Sequence, residues 1–84
     1  MEEPGPTLVM FALARDASGR THDRFDAGTL DGLLDEAVER YGDRFGAVLD
    51  ASRVWVNGAQ AARGAAVELS DHDDVAVIPP VAGG

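Results

Sequence analysis

Thr29-Leu30-Asp31-Gly32-Leu33-Leu34-Asp35-Glu36-Ala37-Val38-Glu39-Arg40-Tyr41-Gly42 is the most regular stretch of this chain. Leu30, Leu33, Leu34, Ala37, Val38 and Tyr41 recur at the i, i+3, i+4, i+7, i+8, i+11 spacing of one apolar helical stripe. Asp31, Asp35, Glu36, Glu39 and Arg40 occupy the other side. Thr29 can cap the first turn with its hydroxyl, and Asp31 sits near the positive end of the helix dipole. Gly42 is placed for a left-handed C-cap, and Phe45, Val48 and Leu49 suggest a further short turn of helix. A helix with a single apolar stripe needs a single sheet to cover it.

The flanking segments supply strands. Upstream, Leu8 to Ala14 is a continuous apolar run ending at Arg15, short enough for a buried strand, although its alanines also permit helix. Asp16-Ala17-Ser18-Gly19 reads as a turn, and Arg20 to Asp26 as a more polar second strand completing a hairpin. Downstream, Val54-Trp55-Val56 is β-branched and aromatic, and Asn57-Gly58 is a strong two-residue turn signal. Ala66 to Leu69 suggests a short strand, Ser70 to Asp74 a polar loop, and Val75 to Ile78 the last strand. Pro79-Pro80 must end it, because each proline removes a backbone donor and fixes φ. The expectation is a two-layer α+β domain of β-grasp type, a mixed sheet wrapped around one main helix with first and last strands paired at its centre.

The 84 residues suffice for one domain, with residues 1–6 as a flexible leader and 79–84 as an extended tail. A net charge of −8, from 15 acidic and 7 basic residues without a lysine, disfavours nucleic acid and a polybasic membrane anchor. The absence of cysteine excludes disulfides, thiolate metal sites and cysteine nucleophiles. Met1 to Pro6 is acidic and turn-rich, unlike a signal peptide, so the default location is the cytosol. Asp71, Asp73 and Asp74 around His72 look metal-like, but an EF-hand counted from Asp71 would place Ala76 and Ala82 where glycine and glutamate are required. A solvated turn is the better reading, and no metal site is expected. His22 reads as an exposed strand residue and Trp55 as core or sheet packing. No phosphate-binding glycine-rich loop and no acid–base constellation is present, so an independent enzyme is disfavoured and any ATP must be bound by a partner.

Chemistry concentrates in Pro79-Pro80-Val81-Ala82-Gly83-Gly84. The prolines give a stiff exit, and the side chains then shrink from isopropyl to methyl to hydrogen. Pro80, Val81, Ala82 and Gly83 can therefore thread a narrow channel in a partner. The functional group at the tip is the α-carboxylate of Gly84, suited to attack on an activated phosphate of ATP to give an acyl-adenylate. The first strand is apolar on both faces and one helix covers only one. If the first and last strands pair, Phe11, Leu13 and Ile78 can lie on the uncovered face near the tail as a partner interface, and Arg15 could pair with an acidic group there.

The segment Asp73 to Gly84, with its Pro-Pro-Val-Ala-Gly-Gly ending, resembles the MoaD family of molybdopterin synthase small subunits, within the MoaD/ThiS ubiquitin-like sulfur carriers. The likeness extends through Ala14-Arg15, Ala27-Gly28-Thr29-Leu30 and Val56-Asn57-Gly58. The resemblance implies that a ubiquitin-activating-enzyme-like adenylyltransferase (MoeB-type) uses Mg-ATP to adenylate Gly84. A sulfur donor protein then displaces AMP to leave a thiocarboxylate. In a large subunit (MoaE-type), whose relatives meet positions matching Phe11 and Ile78, the tail donates sulfur to the molybdopterin dithiolene. Alternatives are a carrier for another pathway (thiazole, cysteine or secondary-metabolite sulfur), a ubiquitin-like modifier of protein lysines, and a non-covalent interaction module.

Overall fold

The computed structural model describes residues 5–80. Strand β1 (Thr7–Met10) is followed by helix α1 (Ala12–Ser18), strand β2 (His22–Arg24), helix α2 (Leu30–Tyr41) and helix α3 (Asp43–Asp50). Strands β3 (Arg53–Val56), β4 (Ala59–Ala61) and β5 (Asp74–Ile78) complete the order. They form one mixed sheet in the order β2-β1-β5-β3-β4, with β1 and β5 parallel and the other pairs antiparallel. The expected pairing of first and last strands is present, and β5 occupies the centre.

The strand registers build the core. Leu8 pairs with Val75 and Val75 with Val56; Met10 pairs with Val77 and Val77 with Val54. Paired residues share a face, so these two rows point together toward the helices. Leu30, Leu33, Leu34 and Ala37 of α2 meet them with no exposed surface, as the apolar spacing requires. Thr29 caps α2 by accepting from the Gly32 amide at 3.1 Å. Asn57 and Gly58, with φ of 49° and 84°, make the expected tight turn between β3 and β4.

Five local expectations are corrected. Leu8 to Ala14 is not one strand: β1 stops at Met10, and the chain turns off the sheet into α1. Ala12, Ala14 and Ala17 are good helix formers, and Ala14 packs fully buried against the core. Gly19, read as part of a turn, closes α1 in the left-handed region by donating to the Arg15 carbonyl at 2.8 Å. A helix, not a short loop, therefore joins the antiparallel strands β1 and β2. Gly42 is not a left-handed cap; its φ of 99° and ψ of −176° lie in a region open essentially to glycine alone. It ends α2 and starts α3 at once, so the two helices are joined through a single residue. Ala66 to Leu69 forms only a bridge from Glu68 to Thr29. This segment serves the helix instead, because the Val67 carbonyl accepts from the otherwise unpaired Leu30 amide at 2.9 Å. Finally, Gly5 and Pro6 of the expected leader are buried and belong to the domain.

A polar cluster fastens edge strand β2 to α2. Asp23 accepts from the Tyr41 hydroxyl at 2.6 Å and from Arg40 Nη1 at 3.0 Å, while the Arg40 guanidinium lies 3.9 Å over the Phe25 ring. Burial raises the Asp23 pKa, but hydrogen bonds from Tyr41, Arg40 and the Arg24 amide, with the charge of Arg20, outweigh it and hold the carboxyl below its ordinary 3.8. The folded pKa is thus the lower one. The stabilisation is present above the unfolded value and is lost as pH falls through the folded value. Asp23→Asn is expected to flatten the dependence of melting temperature on pH between about pH 5 and pH 2. An acid slope identical to that of the parent would assign the sensitivity to other carboxylates.

Candidate functional site: the tail exit and its apolar surround

Strand β5 delivers the chain to the site. After Ile78, Pro79 is buried and Pro80 exposed, so the first proline anchors the exit and the second leaves the surface. Val81, Ala82, Gly83 and Gly84 lie outside the described residues. The Phe11 amide donates to the Val77 carbonyl at 3.2 Å, fastening the start of α1 beside the end of β5. Phe11, Ala12, Leu13, Asp16, Ile78, Pro79 and Pro80 then line a shallow depression of about 400 Å³ at the base of the tail.

Phe11 and Leu13 are each 46% exposed and Ile78 40%, the large exposed hydrophobic side chains among the described residues. Sequence reasoning placed these three residues together, but for Phe11 and Leu13 on the wrong element. Phe11 is the extended N-cap of α1 and Leu13 lies within α1, so neither is a strand residue. Ala12 between them has a φ of 49°, an uncommon conformation for a residue with a Cβ, and this turn sets α1 beside the exit. Arg15 is exposed one turn further along α1 and makes no ion pair among the described residues.

The apolar surface extends further than the sequence reading placed it. His22 pairs with Val9, Val9 with Ala76, Ala76 with Trp55 and Trp55 with Gln60, giving one row across the sheet face opposite the helices. Val9, Ala76 and Trp55 are half-buried there. Ile78, two residues beyond Ala76, continues the same face. Trp55 is therefore a sheet residue on the open face, not part of the core. Its signal was legible as alternation, because inward Val54 and Val56 force Trp55 outward.

Charge divides the molecule. Asp31, Asp35, Glu36 and Glu39 lie on α2 and Asp43 and Asp50 on α3. The open face carries Arg24, His22 and Arg53 against Asp74, with Arg53 the cross-strand partner of Ile78. The acidic loop that looked metal-like is occupied with backbone work. Asp71 accepts from the Gly5 amide at 3.1 Å, and Asp73 from the Ser70 amide at 2.8 Å and the Asn57 side chain at 2.9 Å. Those bonds, the Ser70 amide first, hold the Asp73 carboxyl below its ordinary pKa. Among the described residues no group of three His, Asp or Glu converges to hold a metal ion, and no helix is long and apolar enough to cross a membrane.

A ubiquitin-like β-grasp domain whose central strand leads into the C-terminal segment is the class that this fold and exit define. The family model described as the ThiS family matches residues 8–84, and the chain belongs to that family. No curated protein sequence matches the chain. Among solved structures it is similar to SAMP1 from Haloferax volcanii, at 28% identity and a TM-score of 0.79 over 94% of this chain and 98% of that one. It is also similar to a putative molybdopterin converting factor subunit 1 from Pyrococcus furiosus, at 24% identity and a TM-score of 0.76 over 90% and 97%. CysO or BexX in the Amycolatopsis orientalis BexX/CysO complex is a further neighbour, at 20% identity and a TM-score of 0.77 over 95% and 100%. The last two, both under 25% identical, bear on fold alone.

Proposed function

We propose that this protein is a sulfur carrier whose Gly84 carboxylate is adenylated and converted to a thiocarboxylate, and that it serves as the small subunit of a molybdopterin synthase. The observation that carries the reading is the Pro79-Pro80-Val81-Ala82-Gly83-Gly84 ending directly after the central strand of a ThiS-family domain. The carboxylate oxygen attacks the α-phosphorus of ATP, held with Mg²⁺ by a MoeB-type adenylyltransferase, and pyrophosphate leaves. Hydrosulfide released by a sulfur donor protein attacks the resulting acyl carbon, the C–S bond forms, AMP departs and the sulfur loses its proton. The thiocarboxylate, softer and more nucleophilic than a carboxylate, then delivers sulfur to carbon inside a MoaE-type large subunit. The carrier contributes no catalytic side chain and acts in the cytoplasm.

Residues 80–83 thread the partner's channel, and Phe11, Leu13 and Ile78 dock its outer surface, with Arg15 meeting an acidic group. Ile78→Lys places an ammonium in that apolar contact and is expected to weaken large-subunit binding by at least about tenfold, with thermal stability unchanged because Ile78 is 40% exposed. Titration by calorimetry measures it, and parental affinity in the variant would remove Ile78 from the interface.

The function itself is tested by intact mass after incubation with the activating enzyme, Mg-ATP and a hydrosulfide source. Replacement of one oxygen by sulfur at the terminus is the expected result; an unchanged mass would overturn it. A second reading, a ubiquitin-like modifier, is favoured by the likeness to SAMP1, a small archaeal modifier protein. Amide-linked adducts on protein lysines in cells, with no large subunit co-purifying, would select it.

A further inference from the structure

All seven basic residues of this chain are arginine, and it has neither lysine nor cysteine. Their positions make this a chemical matter as well as a compositional one. Arg40 and Arg63 are committed to ion pairs with Asp23 and Asp50 at 3.0 and 2.6 Å, and Arg20 lies 3.6 Å from Asp23. Arg15 and Arg53 make no ion pair or side-chain hydrogen bond among the described residues, and both stand at the tail exit. Arg53 is paired across the sheet with Ile78, and Arg15 follows Phe11 by one turn of α1. Four residues follow Pro80, and a fully extended stretch of that length spans at most roughly 14 Å. Arg53 faces Ile78 directly across the sheet, and Arg15 lies one helical turn, about 5.4 Å, beyond Phe11 at the exit. Both positions therefore lie within that span, on the same molecule or on another copy.

An acyl-adenylate is a mixed anhydride that amines and thiols attack readily. A lysine at either position would supply the same positive charge as arginine, but a fraction of it would be free amine at any time. A guanidinium stays protonated and does not acylate under these conditions. N-acylimidazoles formed at His22 or His72 would hydrolyse back to carboxylate. We infer that the side chains of this protein are selected to be inert toward its own activated terminus, so that the acyl group is kept for a nucleophile carried by a different protein. If that nucleophile is sulfur, no acyl group is lost to the carrier's own side chains. If it is a protein amine, the product carries single copies and no chains linked through carrier side chains. The inference rests on the adenylation of Gly84 proposed above.

Arg15→Lys and Arg53→Lys keep the charge and add the amine. Each variant and the parent would be incubated with the activating enzyme and Mg-ATP without a sulfur source, and followed by intact mass and peptide mapping. In the lysine variants the amine nitrogen attacks the Gly84 carbonyl, the C–N bond forms, AMP leaves and the nitrogen loses a proton. The product is a dimer of two chain masses less one water, or a cyclised monomer of one mass less one water. Its rate of formation should rise about tenfold per pH unit between pH 7 and 9, following the free-amine fraction. The parent should give no side-chain adduct at any pH. Hydroxylamine added in parallel should capture the activated end of all three proteins as the hydroxamate. A side-chain-linked adduct in the parent would overturn the inference, as would hydroxamate from both lysine variants without any self-adduct. Absence of hydroxamate from the parent would overturn the adenylation reading, and the inference with it.

Discussion

A chain ending at Gly83 is expected to lose ATP-dependent exchange of oxygen for sulfur by at least about 100-fold, while its melting temperature stays that of the full-length protein. The truncated chain still ends in a glycine carboxylate, so the effect is one of position. Removing one extended residue withdraws the carboxylate by roughly 3.5 Å, and attack on phosphorus requires the reacting atoms at about 3–3.5 Å in line. The glycine-by-glycine taper bears on the same requirement from the other side. Nothing wider than a peptide backbone is present at the tip, so the partner channel proposed above could close tightly enough to fix the carboxylate. Stability should be untouched, because the core cluster of the described residues is complete by Val77, seven positions before the residue removed. Intact mass under single-turnover conditions reads the exchange, and calorimetry the melting temperature. Exchange at the parental rate in the truncated chain would mean that the carboxylate need not stand at position 84, and the positional requirement for Gly84 would fall.

How much of this was legible before the structure follows from which residues had one available interpretation. In α2 the apolar positions, the Thr29 cap and the acidic outer face all agree, and the helix begins and ends at the residues those signals mark. Asn57-Gly58 was similarly unambiguous, because few residue pairs accept positive φ twice in succession. Leu8 to Ala14 was different. With every side chain apolar, neither period 2 nor period 3.6 is visible, and the break after Met10 depends on Ala12 adopting a φ of 49°. That conformation is imposed by tertiary packing, with Ala14 buried in the core and the Phe11 amide held by Val77. The exposed cluster at the exit was found regardless, because an excess of apolar residues over what one helix can cover is a matter of counting faces. Val9, Ala76 and Trp55 were not joined to that surface, since their alignment in one row requires the register of three strands. The terminal motif required no fold at all to be noticed, yet its meaning depended on the central strand that presents it.

Phe45→Ala should destabilise the domain by about 3–5 kcal/mol, a large share of the 5–15 kcal/mol that a domain has in total and a larger one in a domain this small. Phe45 has no exposed surface and packs edge-to-face against Tyr41, with ring centroids 5.1 Å apart; Tyr41 in turn meets Phe25 at 6.1 Å. Truncation removes the middle of the link between α3 and the end of α2, and the one-residue connection at Gly42 leaves α3 little freedom to slide into the void. Phe45→Leu, which conserves most of the volume, should cost less than about 1.5 kcal/mol. Urea unfolding measures both, and a loss below about 1 kcal/mol for the alanine variant would show that α3 is not part of the cooperative core. The consequence reaches the exit, because α3 packs against α1 as well as α2 and α1 carries Leu13 and adjoins Phe11. In the fraction of Phe45→Ala that remains folded, α1 should be less firmly held and partner affinity should fall, whereas adenylation of Gly84, which depends on the tail leaving β5, should fall less. Equal losses in both would instead place the effect in β5 itself, since β5 is the element that the docking surface and the tail share.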